Sequence, residues 1–213
     1  MFGEDNFSDA EDYSIHYHEI GGGLETEEIN NIIRSIYSFL EKIYPDKQYQ
    51  HKFPSIKNTL EKIINIEISD HEVAKIIDTF AYHEIGYIPD KYIEVLHSLN
   101  KNYRLSVVID IWSPKSAWLN LFKIHGIDKL FLASSFSSDH GMVKPSPGPF
   151  ELVINKLSLP KEECLVIGDS VRRDLGGASA AKIDCVLVGG ANHSDAAGCY
   201  ENLIELSHDL LRN

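Results

Sequence analysis

Two segments hold the residues best suited to chemistry: Met142-Val143-Lys144-Pro145-Ser146-Pro147 and Val166-Ile167-Gly168-Asp169-Ser170-Val171-Arg172-Arg173-Asp174. The first offers a cation, Lys144. The second offers two carboxylates, Asp169 and Asp174, five residues apart. Phosphoryl chemistry needs this combination, because positive charge offsets the phosphoryl oxygens and hard carboxylate oxygens suit Mg²⁺, which keeps several waters and takes few protein ligands. Each residue also has a plainer reading. A lysine before proline is usually a surface lysine, Asp169 can cap the helix that comes after it, and Asp174 can pair with Arg172 or Arg173 on a solvated face.

The surrounding elements decide between these readings. Apolar residues recur at helical spacing over 25–43 (Ile29, Ile32, Ile33, Ile36, Tyr37, Phe39, Leu40) and again over 55–66, and Asp70 is placed to cap a helix over 70–82. This predicts a small helical bundle over residues 1–86, with residues 1–14 as a solvated, acidic lead-in carrying Asp5, Asp9 and Asp12. Beyond Pro89 the pattern alternates. Helices are predicted over 91–100, 115–125, 149–157 and 171–181, and short apolar strands over 105–109, 130–133, 164–167 and 185–188. Strands and helices alternating at this spacing predict an α/β fold over 87–213, a Rossmann-like parallel sheet with helices on both faces. Ligands of such sheets gather at the carboxyl ends of the strands, where both opening segments fall. Gly168 would permit a tight turn there, and Gly176, Gly177 and Ala178 would let the next helix pack closely.

Composition narrows the partners. The chain has 213 residues, 43% of them hydrophobic, enough for a full core, and a net charge of −12 that argues against a nucleic-acid partner. No apolar run is long enough for a signal peptide or membrane helix, and Cys164, Cys185 and Cys199 form neither a metal-type pair nor an even disulfide set, so a reducing cytoplasm is the expected compartment. Cys164 and Cys185 open apolar runs and read as small buried hydrophobes.

From about residue 87 to 188 the order strand, Ser-rich loop, Lys144-Pro145, helix, strand, Gly168-Asp169, Asp174, Gly-Gly-Ala helix, strand resembles the haloacid dehalogenase superfamily, in its phosphatase branch with a helical cap. The resemblance implies that the N-terminal bundle is that cap, that Lys144 neutralises the nucleophile and the phosphoryl group, and that Asp169 and Asp174 help hold Mg²⁺. The partner it implies is a small phosphorylated molecule.

Two of the family's motifs depart from the pattern. The first, an apolar strand ending in Asp-x-Asp that supplies the nucleophile, has no counterpart ahead of the cap; residues 2–7 resemble the stretch immediately downstream of that motif. The second, a strand-end Ser or Thr that binds a phosphoryl oxygen, falls on Ile109, or on Asp110 if the register shifts by one. Ser113 is the substitute hydroxyl that the loop offers. The expectation is a family member without a nucleophile, inactive as written and with weakened Mg²⁺ binding, or else a non-catalytic binding or assembly protein. The absent strand would also leave a gap between strands 105–109 and 164–167. Their direct pairing, insertion of Ser14-Ile15-His16-Tyr17-His18-Glu19-Ile20 as a strand, or self-association would close it. Lys182 stands where the family commonly has Gly, a change expected to affect only a turn.

Ten histidines in an acidic chain raise a metal-site reading, but no His-Glu-x-x-His pattern occurs. They read as ordinary helix-end residues, and His125 before Gly126 suits a helix C-terminus.

Overall fold

In the computed structural model, which describes residues 5–64 and 68–212, the N-terminal helices gather around one apolar cluster. They are α1 (Ser14–Glu19), α2 (Thr26–Ile43), α3 (Ile56–Ile63) and α4 (Asp70–Glu84), with a short 3₁₀ turn at Lys47–Tyr49. The isoleucines of α2 at 29, 32, 33, 36 and 43 all turn inward, as their spacing predicts. Serine caps start two helices: Ser55 accepts from the Asn58 N–H at 3.1 Å and Ser69 from the Glu72 N–H at 3.3 Å. The cap expected at Asp70 thus lies one residue earlier, and α3 ends before residues 65–67, which fall outside the described residues. The run from Ser14 is a helix, not a strand. Tyr13 and Tyr17, four residues apart, are both buried, and Asp12 Oδ1 accepts from the N–H and hydroxyl of Ser14. Burial of that i,i+4 pair outweighs the alternating pattern.

Next come α5 (Asp90–Leu99), β1 (Leu105–Ile109), α6 (Lys115–Ile124), β2 (Phe131–Phe136), α7 (Ser137–His140), α8 (Gly148–Leu157), β3 (Leu165–Gly168), α9 (Gly176–Ala181), β4 (Asp184–Leu187), β5 (Gly198–Cys199) and α10 (Leu203–Leu210). Every strand pair is parallel, so the fold is α/β with a Rossmann-like parallel core. Helices cover both faces: Phe150 and Ile154 of α8 pack with Val108 and Val166, while Leu99 of α5 and Leu203 and Leu206 of α10 pack with Leu105 and Ile167. A Cβ on Gly177 would stand 2.6 Å from the Phe150 ring, so glycine sets the close approach of α9 to α8. Lys182 ends α9 in the left-handed region, φ +59°, at the position where glycine is the favoured residue.

The strands form two sheets, β1-β2 and β3-β4-β5. The direct pairing of β1 with β3 does not form, so among the described residues each of these strands has one partner. Their burial reflects this. Three of four residues of β4 are buried, against one of five in β1 and none in β3, whereas inner parallel strands are normally covered on both sides. Of the cysteines, Cys185 is buried, Cys164 half-buried and Cys199 exposed. No helix among the described residues is long and apolar enough to cross a membrane.

Candidate active site

The site forms where β3 ends. Asp169 follows Gly168, and Ser170 caps a wide π turn, Val171–Leu175, by accepting from the Arg173 N–H at 3.2 Å. That turn carries Asp174 back to the strand end, where its Oδ2 accepts from the N–H groups of Asp169 and Ser170 at 3.2 and 3.0 Å. Gly168 makes this return possible through close approach, since a Cβ there would lie 2.3 Å from the Asp174 Cβ. Asp174 Oδ1 accepts from Lys144 Nζ at 2.7 Å, and both side chains are largely buried. The two opening segments therefore meet. Arg173 comes within 3.9 Å of Asp169, whose side chain is 51% exposed.

Asp110, just past β1, anchors the lysine from the other side. Its Oδ2 accepts from the Lys144 N–H at 3.0 Å and from the Tyr44 hydroxyl at 2.6 Å, while its buried Oδ1 has no hydrogen-bond partner among the described residues. The Lys144-Pro145 peptide is cis. Burial, reinforced by the Asp110 charge, pushes the Tyr44 phenol well above its ordinary pKa, so it stays a donor. The guanidinium groups of Arg172 and Arg173 lie 5.6 and 5.9 Å from the Tyr44 ring centre. Tyr44 ends α2 and carries no motif, so nothing in its sequence neighbourhood marks it.

Ser113 is directed elsewhere. Its hydroxyl donates to the Glu84 carboxylate, which also accepts from the N–H groups of Trp112 and Ser113 at 2.6 and 2.9 Å. Burial pushes the Glu84 carboxyl up, against the lowering pull of these bonds. Sequence reasoning missed Glu84 as well. Ile109 ends β1 opposite Phe136 of β2. Asp5, Asp9 and Asp12 are exposed, as a solvated acidic lead-in requires, and Asp12 Oδ1 in addition accepts from Ser14 and from the Asn30 amide at 2.8 Å.

Asp169, Ser170, Arg173 and Tyr92 line an open cavity of about 350 Å³ beside this mouth. Among the described residues no three His, Cys, Asp or Glu side chains converge in a metal-binding group. His16 stacks on Tyr82, His83 is buried and its imidazole pKa pushed down by that burial, and His125 ends α6.

A parallel α/β core covered by helices on both faces, with a lysine and two carboxylates gathered at its strand ends, defines a protein of the doubly wound α/β class. The chain belongs to the haloacid dehalogenase-like hydrolases, whose family model matches residues 10–182. Curated relatives include pyrophosphatase PpaX of Halalkalibacterium halodurans, 25% identical over 74% of this chain and 74% of the relative. Glyceraldehyde 3-phosphate phosphatase of Pyrococcus abyssi is 23% identical over 81% of this chain and 75% of the relative. The fold is shared with a HAD phosphatase from Thermococcus onnurineus, with a TM-score of 0.60 at 20% identity over 93% and 86% of the two chains. It is also shared with the HAD-hydrolase YfnB from Bacillus subtilis, with a TM-score of 0.59 at 18% identity over 92% and 88%.

Proposed function

We propose that residues 1–213 form the phosphoryl-binding and Mg²⁺-binding half of a phosphatase-type site for a small phosphorylated metabolite. The observation that carries this reading is the Lys144–Asp174 contact at 2.7 Å beside the half-exposed carboxylate of Asp169. Lys144 would meet the phosphoryl oxygens. Mg²⁺ fits the donor chemistry as an ion held by Asp169 and by the lone pair that Asp174 Oδ1 retains beyond its bond to Lys144, with water completing the shell. When bound, it would offset phosphoryl charge. Two protein carboxylates make that binding weak.

Among the described residues β1 and β3 lie in separate sheets and the Ser113 hydroxyl is held by Glu84, which supports reading residues 1–213 as a site without its attacking group. The reading is therefore binding without turnover. Residues 1–86 would serve as the cap that selects the substrate, with residues 87–213 as the core. The test combines calorimetry of inorganic phosphate with Mg²⁺ and an assay of p-nitrophenyl phosphate hydrolysis. Expected are Mg²⁺-dependent phosphate binding, its loss in Asp169→Asn, and no turnover by the unaltered chain. Turnover abolished by Asp169→Asn would overturn the non-catalytic part, and absence of any phosphate binding would overturn the whole reading.

A further inference from the structure

β2 ends its sheet on the outer side: it pairs with β1, and its other edge has no strand partner among the described residues. Such an edge presents unpaired N–H and C=O groups, and proteins usually guard it with charged side chains or proline. β2 reads Phe-Leu-Ala-Ser-Ser-Phe and carries neither. Its one irregularity is the step in register that passes over Leu132, between the pairs Leu105–Phe131 and Ser106–Ala133. That step does not shield the edge, because Leu132 is 50% exposed. The next residues run in regular register, and among them Ser134 lies beside Val107, on the face that Trp118 and Phe122 of α6 cover, yet is itself exposed. Leu119 and Ile124 of α6 are exposed as well, at 41% and 70%.

We propose that this edge binds a second copy of the chain, β2 against β2 in antiparallel pairing about a twofold axis at Ser134. Charge argues for that occupant. The chain carries −12 overall, so two copies repel over most approaches. Around β2 the balance is different: residues 111–140 hold Lys115, Lys123 and Lys129 against Asp128 and Asp139, all of them exposed. On the other face α8, which packs on β2, adds an exposed Lys156 and a Glu151 already held by Lys161. Charge also sets the register. Lys129 lies five residues before Ser134 and Asp139 five after it, so the twofold brings each lysine toward the partner's Asp139. Lys129 has no ion pair among the described residues, while Asp139 meets Lys115 of its own chain at 2.6 Å and would be shared between two exposed lysines. The same register sets Leu132 opposite the partner's Phe136. Because β1 runs parallel to β2, the two Lys144 mouths would stand at opposite ends of the joined sheet, and the pairing covers neither. This inference does not depend on the phosphoryl reading.

Sedimentation equilibrium of the full chain, from about 1 to about 300 µM, reads the association directly. The mass should rise from 24.0 kDa toward twice that value. Ser134→Lys places a charge on the exposed edge without entering the core. It should raise the dissociation constant more than about tenfold while the circular dichroism stays that of the unaltered chain. A second measurement fixes the register and needs no disruptive change. Ser134→Cys, in a chain also carrying Cys164→Ser and Cys199→Ser, should give a disulfide-linked dimer in air with copper phenanthroline. Residues directly opposite in an antiparallel pair have Cα atoms about 5 Å apart, within disulfide reach. Leu132→Cys in the same background should stay single, since its own copy lies well out of reach in this register. A single-chain mass over the whole range, a dimer that a folded Ser134→Lys leaves intact, or cross-linking at 132 in place of 134 would overturn the proposal.

Discussion

The Tyr44 hydroxyl lies 2.6 Å from Asp110 Oδ2, a bond across 66 residues that ties the end of α2 to the end of β1. The same oxygen accepts the Lys144 N–H, so a phenol from the N-terminal helices helps fix the main chain that presents the lysine. Tyr44→Phe removes the donor and leaves a partly buried carboxylate with one bond fewer. We expect a loss of about 2 kcal/mol in urea unfolding, the usual scale for a hydrogen bond to a charged group. A loss near zero would show that solvent replaces the phenol.

The Lys144–Asp174 pair is asymmetric, because Asp174 also accepts two main-chain N–H groups and Lys144 Nζ has one partner among the described residues. Asp174→Ala removes all three bonds and strands a lysine whose side chain is 13% exposed. It should cost about 3 kcal/mol, the lower end for breaking a buried pair. Lys144→Met leaves the carboxylate on its two amides and should cost about 1 kcal/mol. Denaturant midpoints of the two variants test that order, and a larger loss for Lys144→Met would reverse the account.

Glu84 predicts a pH dependence. Its folded pKa is raised above the ordinary 4.5 by burial, so the folded protein keeps a proton that the unfolded chain releases. The group's contribution is full below about pH 4.5 and is lost as pH rises through the raised folded value. Urea midpoints from pH 4 to neutrality should fall more steeply in the native protein than in Glu84→Gln. Parallel curves would show that the bonds from Trp112 and Ser113 offset burial completely.

Lys182 holds φ +59° at the end of α9. A side chain there meets the steric cost of the left-handed region, which glycine escapes. Lys182→Gly should raise stability by about 1 kcal/mol, read as a higher thermal midpoint, less whatever entropy the unfolded glycine gains.

The parts legible in the sequence were those carried by local spacing. Gly168-Asp169 and Asp174 sit on one turn after one strand, and the alternating helices and strands announced the parallel core before any contact was known. Tyr44 and Glu84 were not legible, because their partners lie 66 and about 28 residues away and no short motif marks either. Ser14-Ile15-His16-Tyr17 illustrates the opposite failure. Its alternation is real, yet packing of Tyr13 and Tyr17 in the N-terminal apolar cluster selects the helix. Ser113 was visible as a candidate hydroxyl, but only the fold could show that Glu84 holds it.

The divided sheet also bears on how the molecule opens. β1 with β2 and β3 with β4 each join consecutive strands across a single crossover, α6 in the first and the π turn with α9 in the second, so either half can assemble as its own cooperative unit. The halves are joined through helix side chains, with no ladder of main-chain bonds between them among the described residues. Such a seam is where sub-global opening begins, so amides of β1 and β3 should exchange hydrogen faster than those of β4, which is flanked on both sides. Sequence adjacency within each half thus gives the core two folding units and a line of weakness between them.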